Sequence, residues 1–396
     1  METPRRSSVF LGVLIVATAG NDGVHAQMAV PVPPERALPG LTTLWEATLP
    51  AERDAEATLL EAGIAVHAPG SRLIRIYGRE GRLRAQVRLE AAPTLLVASP
   101  RGDALLATLM VDEGRYRHAV LDAEGRSLWS ATLPHDLEFS PSGGYLLASF
   151  DELSPRQRPA AFRVGTGETA WSDEAASGRW YLAAALDDTL ACYEHRRLRL
   201  VDLASGRLLW ESTIEAGFIG GVGRLLRSRR GGVIAVQNVE TVGAEGERRV
   251  TRVWDDGGRL LWERAVVPVP GRTNGGLLTA VSDGGGWLVL DDLAHLSVLR
   301  ATDGRELWRL EGRRSRRVRA FTDRALVYEQ GGRIGIVDLD RTGSRVGERW
   351  LDQPLEFPPD AGPNRQGLRA MRVRREGDRL RVSRLLLAAG DSSARP

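Results

Sequence analysis

The chain has 396 residues, of which 42% are hydrophobic and 27% are charged. These ordinary globular proportions exclude wholesale disorder, and the length predicts two or three domains or one large β-architecture. All 54 basic residues are arginines, but 51 acidic residues leave a net charge of only +3, which argues against a nucleic-acid-binding protein. The single cysteine, Cys192, excludes an intramolecular disulfide and any multi-cysteine metal site.

The N-terminal residues 1–26 have the three parts of a secretory signal peptide. Arg5 and Arg6 are the charged part, residues 9–20 are apolar, and Val24-His25-Ala26 places small residues at a cleavage site. Twelve apolar residues span about 18 Å as a helix, which is short of a hydrocarbon core of about 30 Å. We therefore expect cleavage and export to the periplasm or the exterior, with no transmembrane segment after cleavage.

A short phrase recurs along the chain: an apolar strand, a glycine turn, and a tryptophan four residues after the glycine. The turn glycines are Gly125, Gly167, Gly206, Gly258 and Gly304. The tryptophans of the phrase are Trp45, Trp129, Trp171, Trp210, Trp262, Trp308 and, after an insertion, Trp350. A degenerate copy has Gly81 followed by Ala85 at the tryptophan position. We expect the tryptophans to pack between neighbouring sheets, because burying one ring removes about 150–250 Å² from water.

The mean step between these positions is about 44 residues, which is typical of β-propeller blades. Because short strands separated by glycine turns replace amphipathic helices, the sequence predicts an all-β single propeller of four-stranded blades. Eight blades are favoured, with seven as the alternative, and the strand at Trp45 would close the ring by pairing with residues 368–387. The predicted domains are a proline-rich linker at 27–42, the propeller at 43–390 and a disordered tail at 391–396.

The segment from Val201 to Trp210 resembles the tryptophan-docking repeat of quinoprotein-like (PQQ-type) β-propellers. A second segment, from Phe139 to Ala148, resembles the first strands of a WD-repeat-like blade. The quinoprotein resemblance implies one of two branches: dehydrogenases that use pyrroloquinoline quinone, or non-enzymatic propellers such as the outer-membrane barrel-assembly subunit. The fold alone does not choose between these functions.

The enzyme branch would imply a Ca²⁺ site with oxygen ligands, an Asp base and, commonly, adjacent cysteines. No such constellation stands out, so we predict no cofactor, no metal site and no catalytic residue, and we leave enzymatic activity as the less favoured reading. Cys192 and His195 lie near each other in sequence, but an inert buried cysteine is the favoured interpretation. The repeated acids at the turns, Asp122, Asp202, Asp255 and Asp338, are expected to accept backbone N–H bonds.

One arginine cluster is a candidate for partner binding, although a solvated loop is the favoured interpretation; the cluster comprises Arg313, Arg314, Arg316, Arg317 and Arg319. The sequence as a whole predicts a monomeric, exported protein-binding or scaffolding propeller of the cell envelope, whose partner is an envelope or outer-membrane protein. The alternative is a periplasmic enzyme or small-ligand binder that uses the central channel, for example one resembling a quinone-dependent dehydrogenase.

Overall fold

The computed structural model describes residues 41–50, 55–112, 115–133, 136–149, 159–173, 180–194, 196–214, 218–219, 224–241, 247–266, 276–292, 295–311, 316–351, 368–376 and 379–387. Within these ranges the regular structure consists of 32 β-strands and no helix. The all-β class predicted from the sequence is therefore confirmed.

The strands fall into eight sheets, here called blades and numbered along the chain. The first strand, β1 (Leu41–Pro50), belongs to blade 8. Blade 1 contains β2 (Glu56–Leu59), β3 (Gly63–His67), β4 (Leu73–Gly78) and β5 (Leu83–Arg88). Blade 2 contains β6 (Leu95–Ala98), β7 (Ala104–Asp112), β8 (Arg115–Asp122) and β9 (Ser127–Leu133). Blade 3 contains β10 (Asp136–Phe139), β11 (Tyr145–Ser149), β12 (Ala160–Arg163) and β13 (Thr169–Ser172).

Blade 4 contains β14 (Trp180–Ala184), β15 (Thr189–Glu194), β16 (Arg197–Asp202) and β17 (Leu208–Thr213). Blade 5 contains β18 (Phe218–Ile219), β19 (Arg224–Arg227), β20 (Val233–Thr241), β21 (Glu247–Asp255) and β22 (Leu260–Val266). Blade 6 contains β23 (Leu277–Val281), β24 (Trp287–Asp291), β25 (His295–Arg300) and β26 (Glu306–Glu311). Blade 7 contains β27 (Arg317–Phe321), β28 (Ala325–Gln330), β29 (Arg333–Leu339) and β30 (Arg345–Leu351), and blade 8 contains β31 (Leu368–Glu376) and β32 (Arg379–Leu387).

Blades 1 to 7 are antiparallel meanders of consecutive strands, whereas blade 8 combines the hairpin β31–β32 with β1. The first strands of consecutive blades pack side by side, as β2 does against β6 and β23 does against β27. These strands therefore line the centre of the ring, and the fourth strand of each meander lies at the rim. In blade 5, the second strand β20 pairs with two short first strands, β18 and β19.

The ring is closed by the two ends of the chain, as the sequence predicted. Strand β1 pairs antiparallel with β32, from Leu41 opposite Leu387 to Pro50 opposite Arg379. Glu46 joins the two strands, because its carboxylate accepts hydrogen bonds from Arg381 Nε at 2.6 Å and Ser383 Oγ at 2.7 Å. Closure removes the free sheet edge that an open ring would expose.

The core lies between neighbouring blades rather than at one centre. Val120 of blade 2 packs with Leu137 and Leu146 of blade 3, and Leu200 of blade 4 packs in the same way with Ile234 of blade 5. All five side chains are buried. Full burial of such a side chain contributes about 1.5–3 kcal/mol, so each blade is stabilised mainly by its two neighbours.

A second repeat, at the turn between the first and second strands, was only partly visible in the sequence. A buried hydroxyl accepts the backbone N–H that begins the second strand. The hydroxyls are those of Ser99, Ser140, Ser228, Ser282 and Thr322. Such side-chain bonds satisfy backbone donors that the turn leaves without a ladder partner.

Candidate protein-binding surfaces and the blade junctions

Every blade has a β-bulge in its outermost strand, and the bulge defines where the repeat tryptophan stands. In blade 2, Val120 lies opposite Trp129 and Leu121 opposite Ser127, so Leu128 is the extra residue. The same shift precedes the tryptophan position in the other seven blades, including the β1–β32 pair of blade 8. A bulge re-aims the next side chain, here toward the following blade. We call the residue after the bulge the docking position.

Four docking tryptophans bind the following blade through the indole N–H, and three of them, Trp129, Trp210 and Trp262, also place the ring against a turn glycine. Nε1 of Trp129 donates to the carbonyl of Val164, and that of Trp262 donates to Ala301, both at 2.7 Å. Trp210 donates to Asp256 at 2.7 Å and Trp308 to Gly343 at 2.8 Å. Each bond crosses a blade boundary, so the tryptophans join the rim of one blade to the next.

Three turn glycines, Gly167, Gly258 and Gly304, receive the rings because they lack a Cβ. Gly125, Gly167, Gly206, Gly258 and Gly304 all have positive φ, between 68° and 84°. A Cβ on Gly167 would lie 2.8 Å from the ring of Trp129, and one on Gly258 would lie 2.9 Å from Trp210. Glycine is therefore required twice over, by the left-handed backbone and by the close ring contact.

The remaining repeat tryptophans behave differently. Trp45 Nε1 is buried without a hydrogen-bond partner, and Trp171 packs on blade 4 although no ring contact with Gly206 forms. Trp350 requires a correction, because the bulge at Val346 places Gly347 at the docking position of blade 7. The insertion moves Trp350 three residues onward, where it packs edge-on against Tyr328 at 5.4 Å between ring centroids.

The predicted arginine cluster divides into structural and exposed side chains. Arg316 donates to the carbonyls of Leu310 and Glu311 and so joins blades 6 and 7. Arg319 forms an ion pair with Glu329. Arg317 is exposed, while Arg313 and Arg314 lie outside the described residues.

The candidate nucleophile Cys192 is fully buried. Its side chain belongs to the cluster between blades 3 and 4, whereas the next residue, Tyr193, faces blade 5. Burial raises the pKa of the Cys192 thiol, which disfavours the reactive thiolate. His195 lies outside the described residues.

The turn acids accept backbone hydrogen bonds. Asp202 Oδ1 accepts from the Ala204 N–H at 2.8 Å, and Asp255 Oδ1 accepts from the Arg259 N–H at 2.9 Å. These bonds lower the pKa of both carboxyl groups. Asp122 has the same arrangement with Arg126, whereas Asp338 forms an ion pair with Arg349.

Blade 5 contains a buried polar cluster that the sequence reasoning missed. Glu240 is fully buried and lies 2.7 Å from Arg252 Nη2 and 3.1 Å from Arg248 Nη2. Arg252 in turn contacts Glu263 at 2.6 Å, and the fully buried Asn238 lies two residues before Glu240 on the same strand. The available signal was the run of polar residues at 237, 238 and 240 inside an apolar strand.

In the described part of the chain, no group of three His, Cys, Asp or Glu side chains could hold a metal ion. No helix in that part is long and apolar enough to cross a membrane.

The ring of eight blades, with its repeated glycine turn and docking tryptophan, is an eight-bladed β-propeller. Residues 194–356, less than half of the chain, match the family described as outer membrane protein assembly factor BamB. This match confirms the resemblance to quinoprotein-like β-propellers that the repeat indicated. No curated protein matches the chain.

Several solved structures are similar at low sequence identity. Sqt1 from Saccharomyces cerevisiae is 12% identical, with a TM-score of 0.50 over 83% of this chain and 94% of that one. BamB from Moraxella catarrhalis is 14% identical, with a TM-score of 0.49 over 87% of this chain and 99% of that one. At such identities, structural similarity is evidence for a shared fold only.

Proposed function

We propose that the protein is exported and acts as a protein-binding scaffold in the cell envelope. The observation that carries the proposal is the match of residues 194–356 to the family described as outer membrane protein assembly factor BamB. The N-terminal sequence supports export, because it has a charged segment, an apolar core and small residues before a cleavage site.

The architecture suits a scaffold because contacts between blades and closure of the ring both hold the strands in place. Docking tryptophans cross four blade boundaries, and the strands from the two chain ends close the ring. Connections between rigid strands can then vary in sequence and carry recognition without disturbing the frame. Arg316 and Arg317 border such a connection, at the start of blade 7.

The test is capture of the partner in living bacteria. The chain is expressed with its own signal sequence and an affinity tag, crosslinked, purified, and its partners are identified by mass spectrometry. We expect envelope or outer-membrane proteins to be enriched, and the secreted form to begin at Gln27. Retention of the uncleaved protein in the cytoplasm, with its first 26 residues intact, would contradict the proposal. Failure to capture any envelope protein would also contradict it.

The arginine cluster is tested with charge reversal that spares the structural side chains. Arg313→Glu, Arg314→Glu and Arg317→Glu are combined, because Arg316 and Arg319 hold intramolecular contacts. The matched control is Arg341→Glu, an exposed arginine on a turn of blade 7. Loss of the captured partner in the triple variant but not in the control supports binding through the cluster, and equal capture by both rules it out.

A further inference from the structure

The outermost strand of blade 2, β9, is an uncharged sheet edge. Within the described ranges it pairs with β8 on one side only, in the order β6-β7-β8-β9. The strand reads Ser-Leu-Trp-Ser-Ala-Thr-Leu and contains no charged residue. Every second residue of an antiparallel strand directs its N–H and C=O away from the paired neighbour. The outer side of β9 therefore carries a row of backbone donors and acceptors that no strand in those ranges pairs.

The other outermost strands are protected by charge or by shortness. Six of them have six or more residues, and each of these contains at least one Arg or Glu: β1, β5, β17, β22, β26 and β30. Strand β13 contains no charged residue but is only four residues long. Charged side chains and short length are two devices by which proteins prevent exposed edges from pairing. Among the outermost strands in the described part of the chain, β9 alone has neither.

Strand β1, the outermost strand of blade 8, gives a direct comparison. Residues 44–50 and 128–134 have the same sequence except that Glu46 in the first segment corresponds to Ser130 in the second. Ser130 is exposed. The two strands therefore carry nearly the same side chains, but only β1 has a carboxylate at this position.

An apolar row crosses blade 2 at the end of β9. Leu133 lies opposite Tyr116 on β8, and Tyr116 lies opposite Met110 on β7. Residues directly opposite each other place their side chains on the same face of the sheet. Met110 is 57% exposed and the next residue, Val111, is 51% exposed. A strand added beside β9 would place one side chain next to Leu133 and would extend this row.

We propose that β9 receives an extended, uncharged strand of a protein partner, which continues the sheet of blade 2. Backbone hydrogen bonds to β9 provide the affinity, and an apolar side chain beside Leu133 provides the specificity. The occupant is a strand because another strand presents donors and acceptors at the spacing of this edge. It is uncharged because β9 offers no group that could pair a charge buried against it. This inference rests on the proposed scaffold function and deepens it by naming the chemistry of the partner.

The experiment measures amide hydrogen exchange of the purified chain during titration with a probe peptide. The probe is an acetylated and amidated hexapeptide of alternating threonine and valine. When free peptide exceeds its Kd about tenfold, we expect exchange of the outward amides of residues 127–133 to slow about tenfold, because the bound fraction is protected. The same peptide with every amide N-methylated cannot donate hydrogen bonds, and we expect it to slow nothing.

Matched variants test whether the edge itself is recognised. Ser130→Lys places a charge one residue after the docking position of blade 2, and Gln86→Lys does so at the equivalent exposed position of blade 1. We expect Ser130→Lys to weaken binding about tenfold or more, because the charge would lie unpaired beside the added strand. Gln86→Lys should bind like the native chain. Thr132→Lys, a second exposed position of β9, should repeat the effect and guards against a folding defect in one variant.

Four results would overturn the proposal. The first is absence of slowing in β9, and the second is equal slowing in the other outermost strands. The third is unchanged binding by both Ser130→Lys and Thr132→Lys. The fourth is self-association of the native chain that Ser130→Lys abolishes, measured by sedimentation, because the occupant would then be a second copy of this chain.

This measurement is separate from the capture of envelope proteins. If the peptide protects β9 but the protein captures no envelope partner, the edge site stands and the proposed location fails. If envelope proteins are captured equally by the native chain and by Ser130→Lys, and the peptide does not protect β9, the scaffold function stands and the edge site fails.

Discussion

At the scale of single residues, the blade junctions depend on pairs of complementary groups rather than on tryptophan alone. An indole forms the complete docking contact where the next blade offers both a glycine and a carbonyl, as Gly258 and Asp256 do for Trp210. Trp45 has a buried indole N–H without such a carbonyl. The tryptophan count in the sequence therefore overstates the number of complete docking contacts.

One residue pair outside the motif, Glu56 and His67, makes the stability of blade 1 depend on pH. Glu56 Oε2 is buried without a hydrogen-bond partner and lies 4.0 Å from His67 Nε2. Burial raises the pKa of Glu56 to about 7 and lowers the pKa of His67 to about 4. Both groups are therefore neutral in the folded state at mildly acidic pH.

We predict that Glu56→Gln stabilises the protein at pH 8 but not at pH 4. Because the folded pKa of Glu56 lies above its usual value of 4.5, its favourable contribution is full below pH 4.5 and is lost as the pH rises through 7. The gain at pH 8 should be on the order of 1–3 kcal/mol, measured by urea unfolding.

The control for this prediction is His67→Gln, for which the sign reverses. The folded pKa of His67 lies below its usual value of 6.5, so its contribution is present above that pH and is lost as the pH falls through 4. We expect His67→Gln to gain stability relative to the native chain only toward pH 4. Parallel pH profiles for the two variants would contradict the assignment.

At the scale of elements, the turn between the first and second strands has the same form in four blades and a modified form in blade 4. Blades 2, 3, 5 and 6 place Gly102, Gly143, Gly231 and Gly285 in the left-handed region, three residues after the capping serine. In blade 4 the equivalent residue is Asp188, with φ of 59°, and Ala185 replaces the serine. Blade 4 thus places a residue with a Cβ in the left-handed region where those four blades have glycine, which strains its backbone.

We predict that Asp188→Gly stabilises the protein by up to about 1 kcal/mol, whereas Asp188→Ala destabilises it by a similar amount. Glycine adopts positive φ without a steric penalty because it has no Cβ. Alanine has the full steric penalty, and it lacks the short polar side chain that makes this region tolerable for aspartate. Thermal unfolding of the two variants measures the difference. If Asp188→Ala is as stable as Asp188→Gly, the turn is not strained.

The elements also show where sequence reasoning succeeded and where it stopped. The spacing from glycine to tryptophan identified strands and turns, because most blades repeat the same four-residue offset between the turn glycine and the docking position. The bulge was not visible, because an extra residue in one strand appears only once the partner strand is known. For that reason Trp350 was assigned to a position that Gly347 holds, and the polar cluster around Glu240 was missed because its members lie on different strands.

At the scale of the whole molecule, the fold depends on a contact between the two ends of the chain. Seven blades are meanders of consecutive strands, so their pairing is local in sequence. Only blade 8 joins distant segments, through β1 and β32. The ring therefore gains its last sheet at the largest cost in chain entropy, and this closure is the natural place to test the stability of the ring.

We predict that a disulfide across this closure stabilises the ring more than the same bond inside a blade. Ala47 lies opposite Val382, and both side chains are buried, so Ala47→Cys with Val382→Cys would link β1 to β32. The control is Ala107→Cys with Ala119→Cys, which links two neighbouring strands of blade 2. Because the first bond closes nearly the whole chain, the chain-entropy treatment gives it an advantage of about 3 kcal/mol. The measurement is urea unfolding of each variant with and without reductant, and an equal gain from both bonds would show that the closure of the ring is not its weakest point.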